Sequence, residues 1–501
     1  MSGPAGAGPA VLGLDVGTES ARAGLFGLDG RLLADGQAGY RTTFPAPGWA
    51  EQDPAAVWRA VTTALRACLQ APGAAGVTPL ACSLSGTAVT VVTVDPAGEP
   101  TGPALLWMDT RAAAEAAEIT ATGHPSLWFT GGHVSPEWML PKALWLRRHQ
   151  PDRYRRARWL VELHDWILYR LTGHWALASA TASAEWGYDP HAGAWPEDLL
   201  GQLGLADLPA RWPATVLAPG APAGTLRPDV AAATGLPSGL PVCQGLMDSF
   251  AAALACDGFR PGRVAMSLGS SSSYMALTAD PVSDPRLLGP IRDALGPGTW
   301  LMQGGQTSAA SLVRWFVTEL GGGQDAAALD AEAAALPPGS DGVAALDTWQ
   351  GSRTPHRDPA RRGAFTGLAL GHGRAHLYRA TLESVAYGGR QITDALAEAG
   401  TPLDELVLTG GGSQSKLWCQ IHADVIGRPL LRLTQPLPAA LGAAICAATG
   451  AGAHATLRSA AAAMSQVVPC AHPDPARQPT YEAGYRAYQH LAAALSDSSR
   501  P

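Results

Sequence analysis

The segment Asp15-Val16-Gly17-Thr18-Glu19-Ser20-Ala21-Arg22 gathers a carboxylate, a glycine turn, two hydroxyls and a guanidinium in one short run. Backbone N–H groups of such a turn, with the Thr18 and Ser20 hydroxyls, can cradle a phosphate chain. Asp15 can hold a hydrated magnesium ion, which takes one or two carboxylates plus phosphate oxygens. An ordinary turn explains the same residues. A companion, Gly269-Ser270-Ser271-Ser272-Ser273, offers a second hydroxyl-rich turn able to grip the same triphosphate, with a serine-rich hairpin as its plainer explanation. A third cluster, Gly410-Gly411-Gly412-Ser413, follows the strand-like ELVLT. It opens a helix carrying Leu417, Ile421 and Val425 that ends at Gly427 before Pro429. Glycines there let a flat or phosphorylated ligand approach a helix N-terminus. The spacing of this third cluster does not fit the dinucleotide fingerprint or the Walker loop, so neither hydride transfer nor P-loop chemistry is supported. Asp248, in GLMDSF just before a small-residue helix, reads on its own as an N-cap.

Positioning these turns requires strands and helices. Val11 to Gly17 is a buried-strand pattern, and ARAGLFGL runs from it to the Asp29-Gly30 turn, which predicts a β-hairpin. Leu80 to Asp95 suggests a further strand pair. Between them, Val57, Val61, Leu65 and Leu69 recur four apart behind Asp53-Pro54, the signals of a helix start. Arg263 to Leu277 repeats the strand–turn–strand pattern, so two related halves are expected. A stretch rich in Trp, Pro and Gly, from about Trp195 to Pro241, precedes a boundary near Gly258. The predicted domains are residues 10–257 and 258–495, behind a disordered leader of residues 1–9.

Composition narrows the partners. A 501-residue chain with 47% hydrophobic residues supports sizeable cores. Its net charge of −7 with 15% charged residues argues against nucleic acid or an anionic membrane surface, leaving a small molecule. Seven scattered cysteines suggest buried thiols in a reducing compartment, and the leader has no signal-peptide pattern, so a cytoplasmic protein is expected. Leu433 to Leu457 is free of charge and long enough to span a bilayer. Pro436, Pro438, His454 and its glycines favour a buried helix instead.

The three turns, in this order, resemble those of the FGGY family of carbohydrate kinases, over about Val11 to Gly452. The most specific piece is Gly363-Ala364-Phe365-Thr366-Gly367-Leu368, followed after seven residues by His376-Leu377-Tyr378-Arg379-Ala380-Thr381-Leu382-Glu383. An amphipathic helix with Leu377, Thr381, Val385, Ile392 and Leu396 on one face, stopped by Gly400, explains the same residues. Lys142-Ala143-Leu144-Trp145-Leu146 matches a second signature less fully. The resemblance implies an α/β fold of two actin- and RNase H-like domains with an interdomain cleft, sugar and base on the N-terminal domain and nucleotide on the C-terminal one. It implies ATP and Mg2+ as cofactors, a sugar or polyol substrate, and admits a homodimer. Asp15, Gly17, Thr18, Ser20 and Arg22 take the first phosphate role, with Asp15 as the metal residue. Gly269, Ser270 and Ser271 take the second, and Gly410, Gly411, Gly412, Ser413 and Lys416 the adenosine role. Asp248 takes the place of the general base that accepts the sugar hydroxyl's proton.

Trp107-Met108-Asp109-Thr110-Arg111 resembles a sugar-contacting stretch, with Asp109 as a helix cap the alternative. The sequence around SPEWMLPK and VELHDWILYRLTG looks closest to ribulokinase-like members, and Thr87, Glu185 and Gln303 complete the implied substrate set. Several positions depart from that pattern. Ser85 and Glu185 stand where aspartate and lysine are common, Gln303 where glutamate is, and Phe250 where histidine is; xylulokinases match Thr87-Ala88-Val89 no better. Lysine to glutamate turns a donor into an acceptor, so the expected substrate is a pentulose or related polyol other than the usual ribulose. The competing classes are a non-catalytic actin-like nucleotide sensor or assembly protein and a sugar-binding structural protein.

Overall fold

A computed structural model of the chain describes residues 8–498. Residues 1–7 of the expected leader lie outside it, and Gly8 and Pro9 are exposed without regular structure. Two compact units make up the fold. One takes the described residues up to Phe259 together with Gly289–Leu301 and Gln435–Gln466; the other takes Arg260–Leu288, Met302–Thr434 and the chain from Val467 on.

In the first unit, β1 (Ala10–Val16) and β2 (Ser20–Gly27) form the predicted hairpin, which pairs Asp15 with Arg22 across the ladder. Next come β3 (Leu32–Gly39), β4 (Pro79–Gly86), β5 (Pro222–Thr225) and β6 (Pro241–Met247), and the sheet order is β5-β6-β4-β1-β2-β3. β1, β4 and β6 run parallel, so their carboxyl ends share one edge. Every residue of β1 is buried, as a strand covered on both faces must be. Helix α1 (Pro54–Gln70) packs on β2 and β3. The Asp53 carboxylate caps it by accepting Ala55 N–H at 3.0 Å. Val57, Val61 and Leu65 are buried as predicted, while Cys68 rather than Leu69 completes the inward face.

One expected strand pair is not a pair. Val91–Val94 leaves the sheet that holds β4 and joins a separate five-stranded sheet, pairing with Trp159–Glu162. The chain changes sheets at Thr87–Thr90, where Val89 takes a left-handed conformation (φ 54°) unusual for a β-branched residue. Helices α2 (Met139–His149), α3 (Leu163–Thr172), α4 (Ser179–Glu185) and α5 (Asp248–Ala255) surround these strands.

The second unit repeats the plan. β7 (Arg263–Leu268) and β8 (Ser272–Thr278) form a hairpin with Leu268 opposite Ser272, as the echo predicts. β7 runs parallel to β9 (Glu405–Thr409), which is followed by β10 (Leu430–Leu433) and the antiparallel β11 (Val467–Ala471). Helix α6 (Arg374–Glu398) buries Thr381, Val385, Ile392 and Leu396, with Leu377 half-buried at the end of that face. Helix α7 (Lys416–Ile426) ends at Gly427 in the left-handed region.

Helix α8 (Pro438–Gly450), from the charge-free stretch, belongs to the first unit, where it covers β1, β4 and α5. Its approach needs glycine: a Cβ on Gly13 would lie 1.8 Å from the Ala440 carbonyl oxygen, and one on Gly442 would lie 2.0 Å from that of Ala251. Among the described residues no helix is long and apolar enough to cross a membrane. Residues 10–257 and 258–495 are therefore a division by chain order, whereas the packing is interleaved.

Candidate active site

The carboxyl ends of parallel strands are where open α/β sheets receive ligands, and Asp15 and Ser85 lie there on β1 and β4 in register. Asp15 is buried. It accepts the Ser85 hydroxyl at 3.0 Å and pairs with Arg22 at 3.2 Å. Burial still lifts its carboxyl above the usual range, more than Arg22 and Ser85 lower it. The Gly17–Glu19 turn is fixed from outside: Gly17 N–H donates to Ser20 O at 3.1 Å, Gln52 Nε2 to Thr18 O at 2.6 Å, and the Tyr40 hydroxyl to Gly17 O. The Thr18 hydroxyl accepts Trp107 Nε1 at 3.0 Å, and the Ser20 hydroxyl accepts Gln37 Nε2 at the same distance. Two residues expected in separate sites, Thr18 and Trp107, are thus in direct contact.

Asp248 follows β6, whose last residues Leu246 and Met247 lie beside Ser85 and Gly86. It is half-buried and is not the N-cap of α5; Met247 takes that position. Its Oδ1 accepts the Ser249 N–H at 2.7 Å. Burial, and then the negative charge of Asp15, push the Asp248 carboxyl up to about 7, against Ser249 N–H and Arg22.

Asp109 is fully buried and is likewise not a cap: the nearest helix begins at Ala113 behind Ala112. It accepts Ala50 N–H at 2.7 Å and is gripped by Arg111, whose Nε and Nη2 reach its oxygens at 2.8 and 2.7 Å. Arg111 also bonds Glu51 at 2.8 Å and lies 3.8 Å over the Trp49 ring, yet its buried Nη1 has no partner. Thr87 is buried, with its hydroxyl 3.1 Å from that of Thr90. Glu185, the last residue of α4, is 9% exposed and its Oε2 has no partner. Burial, then Glu162 and Glu137, hold its carboxyl well above the ordinary range, with Asp248 adding to the effect.

Lys142 does what its signature match alone does not reveal. Fully buried on α2, its ammonium donates to the carbonyls of Val89, Leu105 and Leu106, the last two at 3.0 and 2.7 Å. It therefore ties the strained turn after Thr87 to the loop that leads into Trp107. Burial lowers its pKa while Glu162 and Asp109 raise it, with burial dominant. Glu162, bonded by Trp186 Nε1 at 3.2 Å, is displaced upward by burial in turn. A signal was present: the chain has only two lysines, Lys142 and Lys416, among 35 basic residues. Where arginine is the habitual cation, a retained lysine marks a place that needs a compact ammonium. Tyr40, Gln52 and Glu51 carry no such signal.

Within the second unit, Gly269 and Ser270 carbonyls accept the N–H groups of Ala310 and Ala309 at 2.8 and 2.9 Å, which anchors their turn; Ser270 is exposed and Ser271 half-exposed. The glycine cluster forms a short 3-10 turn, Gly411–Gln414, and the helix proper begins at Lys416 behind a Ser415 cap that accepts Trp418 N–H at 3.0 Å. Gly410 (φ 86°) lies so close to the neighbouring turn that a Cβ there would meet the Leu268 carbonyl oxygen at 2.8 Å, whereas one on Gly411 would meet open space. Gly412 and Ser413 are buried; Lys416 is exposed. Gln303 is half-buried in the strand Trp300–Gln306.

Twin hairpins flanked by parallel strands, each with a polar turn at its tip, define the actin- and RNase H-like class of phosphoryl-transfer proteins. Residues 10–255 match the FGGY family of carbohydrate kinases, N-terminal domain, and residues 264–451 its C-terminal domain; the chain belongs to that family and is a sugar kinase. It is 30% identical to an FGGY carbohydrate kinase domain-containing protein of Danio rerio, covering 97% of this chain and 98% of that one. To a ribulokinase of Geobacillus thermodenitrificans it is 31% identical, over 88% of this chain and 86% of the other. The crystal structure of a xylulose kinase from Rhodospirillum rubrum superposes with a TM-score of 0.88 at 32% identity, covering 98% and 99% of the two chains. No likeness among these supports a non-catalytic sensor.

Proposed function

We propose that the protein transfers the γ-phosphate of ATP to a hydroxyl of a pentulose or related polyol, with Asp248 as general base. The observation that carries this reading is the setting of Asp248, one residue past β6, beside the strand ends bearing Asp15 and Ser85, with its basicity raised toward neutral pH. Such a carboxylate is matched to removing a hydroxyl proton. Asp248 takes that proton as the sugar oxygen bonds to the γ-phosphorus and the bond from phosphorus to the ADP oxygen breaks. Gly17, Thr18, Ser20 and Arg22 receive the phosphates, as do Gly269, Ser270 and Ser271. Gly410 to Ser413 with Lys416 take the adenosine.

Asp15 is the residue that would hold magnesium, through water. Its chemistry fits: a buried carboxylate met by one guanidinium and one hydroxyl, close enough to a second carboxylate, that of Asp248, to raise the latter's pKa. Bound there, the ion supplies neutralisation of phosphate charge.

On the sugar side we assign Thr87, Trp107, Asp109, Arg111, Glu185 and Gln303. Arg111 Nη1 is a buried donor and Glu185 Oε2 a buried acceptor, both unmet. Each costs about 1–3 kcal/mol until a ligand satisfies it. A polyhydroxylated substrate can do both, and the ribulokinase and xylulose kinase relatives support an open-chain pentulose. We also place the protein in the cytoplasm, in keeping with seven cysteines none of which forms a disulfide among the described residues.

The test is steady-state kinetics with both ribulose isomers, xylulose, ribitol and erythritol. Acceptor-dependent ADP release is expected, and Asp248→Asn is expected to lower kcat by about 10²–10⁴ with a smaller change in KM. Clear preference for either ribulose isomer would remove the role given to Glu185. ADP release indifferent to every acceptor would remove the substrate class.

A further inference from the structure

Cys419 and Cys470 are a pair of thiols whose setting the phosphoryl-transfer reading leaves unused. Cys419 is buried on α7, and its Sγ donates to the Ser413 carbonyl at 3.5 Å, at the end of the glycine cluster. Cys470 lies on β11 and is partly exposed; Gln420 Nε2, next to Cys419, donates to the His472 carbonyl at 2.7 Å, which holds helix and strand together so that the two thiols interact. The pairing of β10 with β11 explains the orientation of Cys470. Leu430 faces Ala471 and Leu431 faces Pro469, so Cys470 is the unpaired residue of a β-bulge, a device that re-aims a side chain. Arg432, on β10, contributes a positive charge to Cys470 and bonds the Gln414 side chain at 3.2 Å. One small cluster therefore joins both sulfurs to Ser413 and Gln414.

We propose that Cys470 and Cys419 form an oxidative modification site for hydrogen peroxide, with Cys470 as the attacking thiolate and Cys419 as the resolving thiol. The Cys470 thiolate attacks peroxide: an S–O bond forms, the O–O bond breaks, and hydroxide leaves to become water on taking a proton. Cys419, giving up its proton, attacks the resulting sulfenic sulfur, forms the S–S bond and expels the second hydroxide. Two thiols and one peroxide thus give one disulfide and two waters. The neighbouring Cys419 thiol, aided by the positive charge of Arg432, holds the Cys470 thiol below its ordinary pKa, which favours the attacking form. The remaining cysteines are buried and away from this pair, so oxidation is selective.

Disulfide formation takes the Cys419 sulfur from the Ser413 carbonyl and so disturbs the glycine cluster. That consequence rests on assigning the cluster to adenosine. The full-length protein is treated with peroxide and then digested without reductant. A peptide joining Cys419 to Cys470, lighter than the reduced pair by two hydrogen atoms, is expected, together with a rise of about tenfold in the KM for ATP that dithiothreitol reverses, the sugar KM being unchanged. Cys470→Ser should abolish both effects, and Cys419→Ser should leave a sulfenic acid on Cys470 that dimedone traps. No joined peptide, or one joining other cysteines, overturns the site. A joined peptide with unchanged ATP kinetics overturns its link to the loop, unless Lys416→Ala is equally silent toward ATP, in which case the adenosine assignment is what fails.

Discussion

Two side chains govern the chemistry and the architecture of the first unit at the residue scale. Asp248 carries its proton to higher pH in the fold than in the unfolded chain, because burial and Asp15 oppose its charge. Stability linked to it is therefore present below the unfolded pKa and is lost as pH rises toward about 7. In nucleotide-free, metal-free protein, Asp248→Asn should melt higher than wild type at about pH 8, the difference closing toward about pH 4. Equal melting curves at both pH values would contradict this. Lys142 is expected to behave oppositely. Lys142→Met strips three carbonyls of their donor and leaves Glu162 buried without its cation. A loss of about 3–5 kcal/mol in denaturant unfolding is expected. Lys142→Arg should not rescue it, since a planar guanidinium cannot point three hydrogen bonds from one nitrogen. Asp15 and the turn residues were singled out from their types and spacing, whereas Asp248 on its own reads as a cap, a place Met247 takes, and its role as base comes only from the resemblance. Asp109 and Arg111 were named from sequence, but not their mutual ion pair, which leaves only Nη1 of Arg111 without a partner.

Elements were read well where the signal is local. The hairpin around Gly17, its echo around Gly269, and the helix stopped by Gly427 follow from turn chemistry and capping alone. Sheet membership was lost where it depends on one residue's conformation. Val91–Val94 has the composition of a partner for β4, and only the left-handed Val89, held by Lys142, sends it to another sheet. At this scale the glycine cluster makes a sharp prediction. Gly410→Ala places a Cβ 2.8 Å from a backbone oxygen at a φ of 86°. The KM for ATP should rise by about tenfold, or about 1.4 kcal/mol, with the sugar KM unchanged. A rise in both constants together would point to general misfolding instead.

Taken whole, the molecule is less modular than its two matched halves suggest. Helix α8 lies within the C-terminal family match at residues 264–451, yet its buried Leu441, Ile445 and Cys446 complete the core of the first unit. Charge-free composition identified α8 as a buried helix, but nothing in its own residues says whose core it fills; that information is held by Gly13 and by Ala251, opposite Gly442. A fragment ending at Phe259 leaves β1 and α5 uncovered and should lack a cooperative melting transition. Fusing residues 435–466 to it through a flexible linker should restore one, as read by near-ultraviolet circular dichroism. A cooperative fragment without the fusion would contradict the interleaved packing.

The late position of α8 also bears on biosynthesis. As the polypeptide emerges from the ribosome, β1 waits for a helix encoded more than four hundred codons after it. The strand's apolar face is a client for chaperones throughout that interval.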